Sequence, residues 1–468
     1  MKIRLTIYSA VLLSLIYRAL LARWLELGGE EACYSFFSLA GNFALPLGDR
    51  LWSMVIGWAR LLPLPLDMAV RIPSLLLGSA CLMLYYRVGV EILGPRMAVR
   101  TVLLLHTLPI FVVDGFQATP RMAVWCVFLG VWWLCTRAAS APELLAAGIL
   151  TGLGCALDEA LLLSALSFAV AGIPLPDREE RRRFGRGWFY AGTAAGLLGA
   201  VCLTLCLPGV SGLGFGGGIE KGVAWTDGRL ATSAFLLTPW LPLVLALAVA
   251  VWTMRITGRE THPLQREVRL CLSFCLPQAA YFLTVLVTRP EHAYPSPLWV
   301  PAALLLLALH GRTKSAEIIK GVVIAMLAGA VLLFIPFAVF WMERSEPRFG
   351  KEEMGWRGIV GRYLPPSSGL RQFPLSWAQI APSPDAFAFC ETSSEAFRFA
   401  HYLGEPCYSL EVPPLSPPLW TDTLSLVGRT GLYFTRDSDE VRVRERLGPL
   451  FRSVDKTLRY PVQRRGGG

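Results

Sequence analysis

The sequence is poor in charge. Only 17% of its 468 residues are Asp, Glu, Lys or Arg, and only five are His. A soluble domain carries charge on about a quarter of its residues, so this chain cannot dress a water-facing surface of its own length. A zinc module is also missing, because the eleven cysteines contain no CxxC pair. Eight of them (Cys81, Cys126, Cys135, Cys155, Cys202, Cys206, Cys271, Cys275) sit inside apolar runs as small core residues. The glycine-rich stretch 208–228 is no nucleotide loop: it is not set between a strand and a helix, and no Walker lysine with Ser or Thr follows. No internal repeat stands out.

What is present is hydrophobic. Apolar residues make up 54% of the chain, and the mean hydropathy is +0.49. Runs long enough to cross about 30 Å of hydrocarbon recur over the first three quarters. The chain therefore reads as a polytopic α-helical membrane protein. Its net charge of +10 does not point to nucleic acid. The basic residues fall in short loops between apolar runs, as the positive-inside rule requires of cytoplasmic loops.

Taken in order, Lys2 and Arg4 hold the start of the first run, 5–21, inside. That start resembles a signal peptide, but the run reads as an uncleaved first helix. Further helices are expected over 68–92, 97–113 and 122–136. The apolar region 143–173 reads as two short helices meeting at Asp158 and Glu159. That arrangement keeps the basic loop 177–188 inside and both acids out of mid-membrane. Helices over 188–207, 230–254, 270–287, 298–309 and 318–341 complete about eleven crossings. The division is a transmembrane domain, 1–342, and a small extracytoplasmic α/β domain, 343–468. In the latter, 386–390 reads as a strand, the segment after it as a serine-capped helix, and Cys407 opens the next strand. Cys390 and Cys407 are thus candidates for a disulfide across one strand-helix-strand unit.

The first outer loop, 24–66, concentrates the polar chemistry. It holds Glu30 and Glu31, then Tyr34, then Asp49 beside Arg50. Acids and aromatics placed just outside a bilayer suit a substrate site. From these residues onward the chain resembles the polyprenyl-phosphate-sugar glycosyltransferases of the GT-C class. The family of protein O-mannosyltransferases and lipid A aminoarabinose transferases is the nearest in pattern. Glu30-Glu31 with Tyr34 matches the family's early acidic pair and tyrosine. Ala69-Val70-Arg71-Ile72-Pro73-Ser74 matches a following stretch closely, and Ala118-Thr119-Pro120-Arg121 a later turn. Gly152 to Leu157 matches a glycine-leucine segment, and the tail has the family's strand and Ser-Ser-Glu-Ala helix. Three departures stand out. Gly48-Asp49-Arg50 replaces an Asp/His-Pro-Pro patch, Arg121 holds a usually acidic position, and Asp158-Glu159 hold a usually basic one.

The resemblance implies a fold, an activity and partners. The fold is a GT-C-like bundle in a multi-pass cell-membrane protein, bacterial and of the inner membrane. The activity is inverting transfer of a sugar from a polyprenyl-phosphate donor to a lipid, glycan or protein acceptor on the outer face. The partners are that donor, that acceptor and membrane lipids, with no nucleic acid. Such transfer needs a base for the acceptor and cations for the departing phosphate. Glu31 is the first candidate for the base, then Glu30, with Asp49 assisting. Arg50, Arg71, Arg121 and Arg289 are the candidate phosphate ligands, since a guanidinium fork suits phosphate. Tyr34 and His292 are candidates for the pocket wall. No cofactor is called for, and a divalent metal ion stays open. Two other classes remain: a multipass transporter or lipid flippase, and a GT-C-fold protein without catalysis. A transporter predicts charges in opposed helix centres and a two-half repeat, and the sequence has neither.

The topology is directly testable. A reporter that works only outside the cytoplasm, fused after Gly468, is expected to be active. Activity from a cytoplasm-only reporter at that position would overturn the topology.

Overall fold

In the computed structural model of the chain, the described residues are 2–24, 27, 29–39, 45–106, 109–137, 140–171, 179–207, 210–212, 265–288, 298–310, 386–390, 393–403, 407–409, 431–434, 444–445 and 447. They open with helix α1, Lys2–Trp24. Its faces are inverted relative to a soluble helix. Tyr8, Leu12, Leu13, Ile16 and Leu20 are exposed, while Ser14 and Arg18 are buried beside Ile7 and Leu21. An apolar outside and a polar seam inside are what a lipid solvent selects.

The described residues of 24–66 are largely helical. Helix α2, Gly29–Leu39, is followed by the short strand β1, Leu45–Pro46, and helix α3, Leu47–Ala59. Pro46 precedes α3 in extended backbone, where proline's fixed φ starts a helix without losing a bond. Trp52, Ile56 and Ala59 recur along the buried face of α3. Its first turn lies close to the backbone at 156, and a Cβ on Gly48 would strike the Ala156 carbonyl.

Helix α4, Leu66–Leu93, has 28 residues, so it is about 42 Å long and outreaches the hydrocarbon. Arg71 lies in the second turn of this long helix, two residues before an internal proline, Pro73. Then come α5, Pro95–His106, α6, Pro109–Asp114, and α7, Arg121–Arg137. Helix α8, Ala141–Gly154, is followed by a 3-10 turn, Glu159–Leu161, and α9, Leu162–Ala171. The break at Asp158 and Glu159 is where the sequence called for one. Asp158 caps the turn by accepting from Ala160 N at 2.8 Å, and Glu159 accepts from Tyr281 at 2.6 Å. Helix α10, Glu179–Cys206, precedes strand β2, Val210–Gly212, which pairs in parallel with β1. Helices α11, Gln265–Thr288, and α12, Trp299–His310, close the described part of the bundle. The expected helices over 230–254 and 318–341 lie outside the described residues.

Among the described residues, three helices are long and apolar enough to cross a membrane, with spans Thr6–Arg23, Leu66–Leu93 and Gly187–Cys206. The main core is shared by α1, α4, α5, α7, α11 and α12. Its centre is aromatic: Trp132 stacks on Phe274 at 5.2 Å between centroids, with Phe128 beside both.

The tail adds strand β3, Phe387–Cys390, helix α13, Ser393–Leu403, and strands β4, Cys407–Ser409, and β5, Gly431–Phe434. They form a parallel sheet in the order β4-β3-β5, with β3 central. The sulfurs of Cys390 and Cys407 lie 3.3 Å apart, farther than a disulfide bond of about 2.05 Å. The register pairs Cys390 with Ser409 and Cys407 with Ala388, so the cysteines are diagonal neighbours. Diagonal α-carbons lie about 7–8 Å apart, beyond comfortable reach of a disulfide.

Among the described helices, α8 and α10 pack most extensively. Gly148 and Gly152 on one helix face Gly192 and Gly196 on the other. A Cβ on Gly148 would land on the Phe189 carbonyl, and one on Gly196 on the Ile149 carbonyl. Two small-xxx-small stripes thus meet backbone to backbone, as glycine allows in membranes. Gly130 on α7 has nothing within 4 Å of such a Cβ. Gly152→Leu is therefore expected to cost about 1–3 kcal/mol or more by overpacking. Gly130→Ala should gain up to about 1 kcal/mol of helix propensity. Opposite shifts of the thermal midpoint in detergent check the pair; a Gly152→Leu protein that melts like wild type would refute this packing.

Candidate active site

The N-terminal turns of α2 and α4 are joined by one charge pair. Glu31 lies in the first turn of α2 and Arg71 in the second turn of α4. The pair is bidentate: Arg71 Nε donates to Glu31 Oε1 at 2.7 Å, and Nη2 to Oε2 at 2.6 Å. Both side chains are almost fully buried, at 1% and 2% exposure. Arg71 Nη1 also donates to the Ala22 carbonyl, at 2.6 Å, at the end of α1. The guanidinium lies 5.8 Å from the centre of the Phe116 ring. A buried guanidinium survives only where such partners replace water.

Glu31 is equally occupied. Besides Arg71, its Oε1 accepts from Ala118 N at 2.9 Å. The same residue's carbonyl accepts from Trp52 Nε1 of α3 at 3.1 Å. The turn between α6 and α7 is thereby stitched to α2 on one side and α3 on the other. Next to it, Tyr34 donates to Asp49 Oδ1 at 2.8 Å, tying α2 to the first turn of α3. Asp49 is 8% exposed and Tyr34 1%. Arg121 is buried at the start of α7 and stands 3.8 Å from Asp114. Arg50 is half-buried beside Asp49.

So the structure places the Tyr34–Asp49 pair beside the Glu31–Arg71 pair, with Asp114 and Arg121 flanking the turn that Glu31 holds. The Glu30 side chain, Arg289 and His292 lie outside the described residues. Among the described residues, no group of three or more His, Cys, Asp or Glu is placed to hold a metal ion.

Several polar residues around the site escaped the sequence reading. Asp67, one turn before Arg71 on α4, meets His401 at 3.3 Å and Tyr402 at 3.2 Å, both on α13. Arg60 donates to the Ser35 carbonyl at 2.8 Å and to its Oγ at 3.0 Å. Partial burial pulls the Arg60 guanidinium below its ordinary value, yet so strong a base stays charged at neutral pH. Arg18 on α1 is fully buried. Its Nη2 donates to Ser79 at 3.2 Å, its Nε to the Ser14 carbonyl at 3.3 Å, and it faces the Phe111 ring at 5.9 Å. Its guanidinium occupies the space a Cβ would need at Gly78 or Gly115. An arginine inside an apolar run was the available signal for it.

Comparison with known proteins bears on this region. Residues 60–206, about a third of the chain, match the family model described as dolichyl-phosphate-mannose-protein mannosyltransferase. The matched stretch includes Asp67, Arg71, Asp114 and Arg121. It bears out the resemblance to the polyprenyl-phosphate-sugar glycosyltransferases of the GT-C class. Among solved structures, the chain is similar to the crystal structure of ArnT from Cupriavidus metallidurans bound to undecaprenyl phosphate. Identity is 14%, coverage is 87% of this chain and 86% of that one, and the TM-score is 0.47. No curated protein matches the chain.

The pair itself can be weighed. Glu31→Ala and Arg71→Ala are each expected to cost about 3–5 kcal/mol, because each strands a buried charge. The double variant should cost clearly less than the sum of the two. Thermal unfolding in detergent measures the cycle, and additive losses would show that the two side chains do not depend on each other.

Proposed function

We propose that the protein is a membrane glycosyltransferase that moves a sugar from a polyprenyl-phosphate donor to an acceptor at the outer face of a bacterial inner membrane. The observation that carries this reading is the buried Glu31–Arg71 pair. Its Arg71 sits at one end of a membrane-length helix, within the stretch that matches the mannosyltransferase family, and its Glu31 precedes that stretch. The neighbouring Tyr34–Asp49 pair supplies a second carboxylate.

The chemistry divides among these groups. Transfer breaks the bond between the anomeric carbon and the lipid phosphate oxygen and makes one to the acceptor, with inversion. The leaving group is already a phosphate, so the step needs no nucleotide. Negative charge grows on the phosphate, and arginine donors relieve it. Arg121 and Arg50 fit that part best, because the fork of Arg71 is occupied by Glu31. A carboxylate that accepts three hydrogen bonds, two of them from a guanidinium, has its lone pairs committed. Glu31 therefore serves chiefly to orient Arg71 and the Ala118 turn. The base falls to Asp49, held by the Tyr34 hydroxyl, with Glu30 as the alternative at the start of α2. The acceptor is a lipid, glycan or protein, received by the extracytoplasmic side where 343–468 forms a small α/β domain.

Complementation of a deletion strain tests this reading. The deletion should accumulate a polyprenyl-phosphate sugar and leave an acceptor unmodified, and the wild-type gene should clear both. Asp49→Asn is expected to slow clearance by about 10²–10⁴-fold, the usual contribution of a general base. Arg121→Ala should weaken donor binding as well as rate, and Arg121→Lys should restore it only in part. Wild-type clearance by Asp49→Asn, Glu31→Gln and Glu30→Gln alike would remove this loop from the chemistry. No lipid accumulation in the deletion would favour a transporter or a non-catalytic relative.

A further inference from the structure

Helices α2 and α4 run antiparallel at the site and are joined by two rungs. The first is Glu31 with Arg71. The second lies one turn away on each helix, at Ser35, four residues after Glu31, and Asp67, four residues before Arg71. A third side chain spans it. His401 places Nδ1 2.9 Å from Ser35 Oγ and Nε2 3.3 Å from Asp67 Oδ1. That histidine belongs to α13, far along the chain from both partners.

The next residue reinforces the rung. The Tyr402 hydroxyl donates to Asp67 Oδ2 at 3.2 Å and accepts from Leu27 N, ahead of α2, at 3.1 Å. One turn before His401, Phe397 enters the aromatic cluster of Phe36 and Phe37 on α2, with centroids 6.2 and 5.8 Å away. An adjoining face of α13, with Ala396 and Ala400, packs on the sheet against Ala388, Cys390 and Cys407. Helix α13 is thus clamped between its own sheet and the site.

A Ser–His–Asp series invites comparison with a hydrolase triad. Ser35 is fully buried and its oxygen already accepts from Arg60. An ester cannot reach it, so the series works as a tie between helices.

We infer that His401 is a positioning residue: through Ser35 and Asp67 it fixes α2 against α4 and so sets the geometry of the Glu31–Arg71 pair from the C-terminal domain. The inference rests on the transfer reading above, and it makes transfer conditional on the docking of α13. A misplacement of about 1 Å costs about a hundredfold in rate, and a helix tied by one rung can pivot about it.

The test uses the full chain in detergent with His401→Phe and His401→Gln. Phenylalanine fills the space without bridging, whereas glutamine's amide can still donate and accept. Two readouts are taken: amide hydrogen exchange over 29–39, and kcat and KM for the polyprenyl-phosphate sugar recovered from the deletion strain. His401→Phe should speed exchange over 29–39, leave 75–90 of α4 unchanged, and lower kcat about tenfold or more with little change in KM. His401→Gln should recover much of both. Wild-type exchange and kcat in His401→Phe would overturn the inference. So would equal losses in both variants that only follow the fraction of folded protein. Should wild type show no transfer while His401→Phe still loosens 29–39, the tie stands and the transfer reading falls.

Discussion

Everything around the site depends on keeping one ion pair dry. Two unit charges cost several kcal/mol each to take out of water, and only near-ideal geometry returns that energy. Glu31 and Arg71 meet the condition with a bidentate contact, and the surroundings complete it. The Ala22 carbonyl takes one arm of the guanidinium, Ala118 N gives to the carboxylate, and Phe116 covers the cation. Those groups come from the end of α1 and from the turn between α6 and α7. The pair therefore fixes the end of α1, the start of α2, the second turn of α4 and the turn before α7 at one point. Removing any one element would leave a charge without its shell.

From that point the architecture extends in two directions. Toward the membrane, the helices follow the logic of a lipid solvent, with polar seams inside and apolar stripes outside. Away from it, α2 and α3 build a second small core around Phe37, Trp52 and Ile56, which Phe397 from the tail completes. Among the described residues, helix α13 of the tail meets the bundle at the site. A loop that must hold buried charges needs a rigid wall on both sides, and α13 provides the outer one.

Much of this was legible in the sequence, and the limits have physical causes. Helices over 66–93 and 121–137 followed from uninterrupted apolar length. The break at Asp158 followed from the cost of charge in hydrocarbon. Glu31 and Arg71 were both singled out, but for separate roles. Nothing local says that residues 40 positions apart will neutralise each other. Asp67, Ser35 and His401 were missed for the same reason more strongly, since His401 lies 334 positions from Asp67. Helices α2 and α3 were read as loop because they are short and polar enough to hide their period. The glycine spacing at 148, 152, 192 and 196 was visible, but four glycines mean a contact only once two helices are known to face each other. In the tail, the strands were legible and their register was not. Period-two patterns fix which face a residue lies on, without fixing its partner.

Arg18 bears on how the chain is made. It lies in α1, yet two of its partners, Ser79 and the ring of Phe111, belong to segments more than 60 residues later. A lone arginine in hydrocarbon is unfavourable by about 2.5–3.5 kcal/mol on insertion scales. Until α4 arrives, the first helix is a poor resident of the bilayer by itself. Its natural course is to wait at the insertion machinery, or to ride shallow with the arginine reaching for the surface. The buried cation thus couples the seating of α1 to the arrival of the segments that carry Ser79 and Phe111.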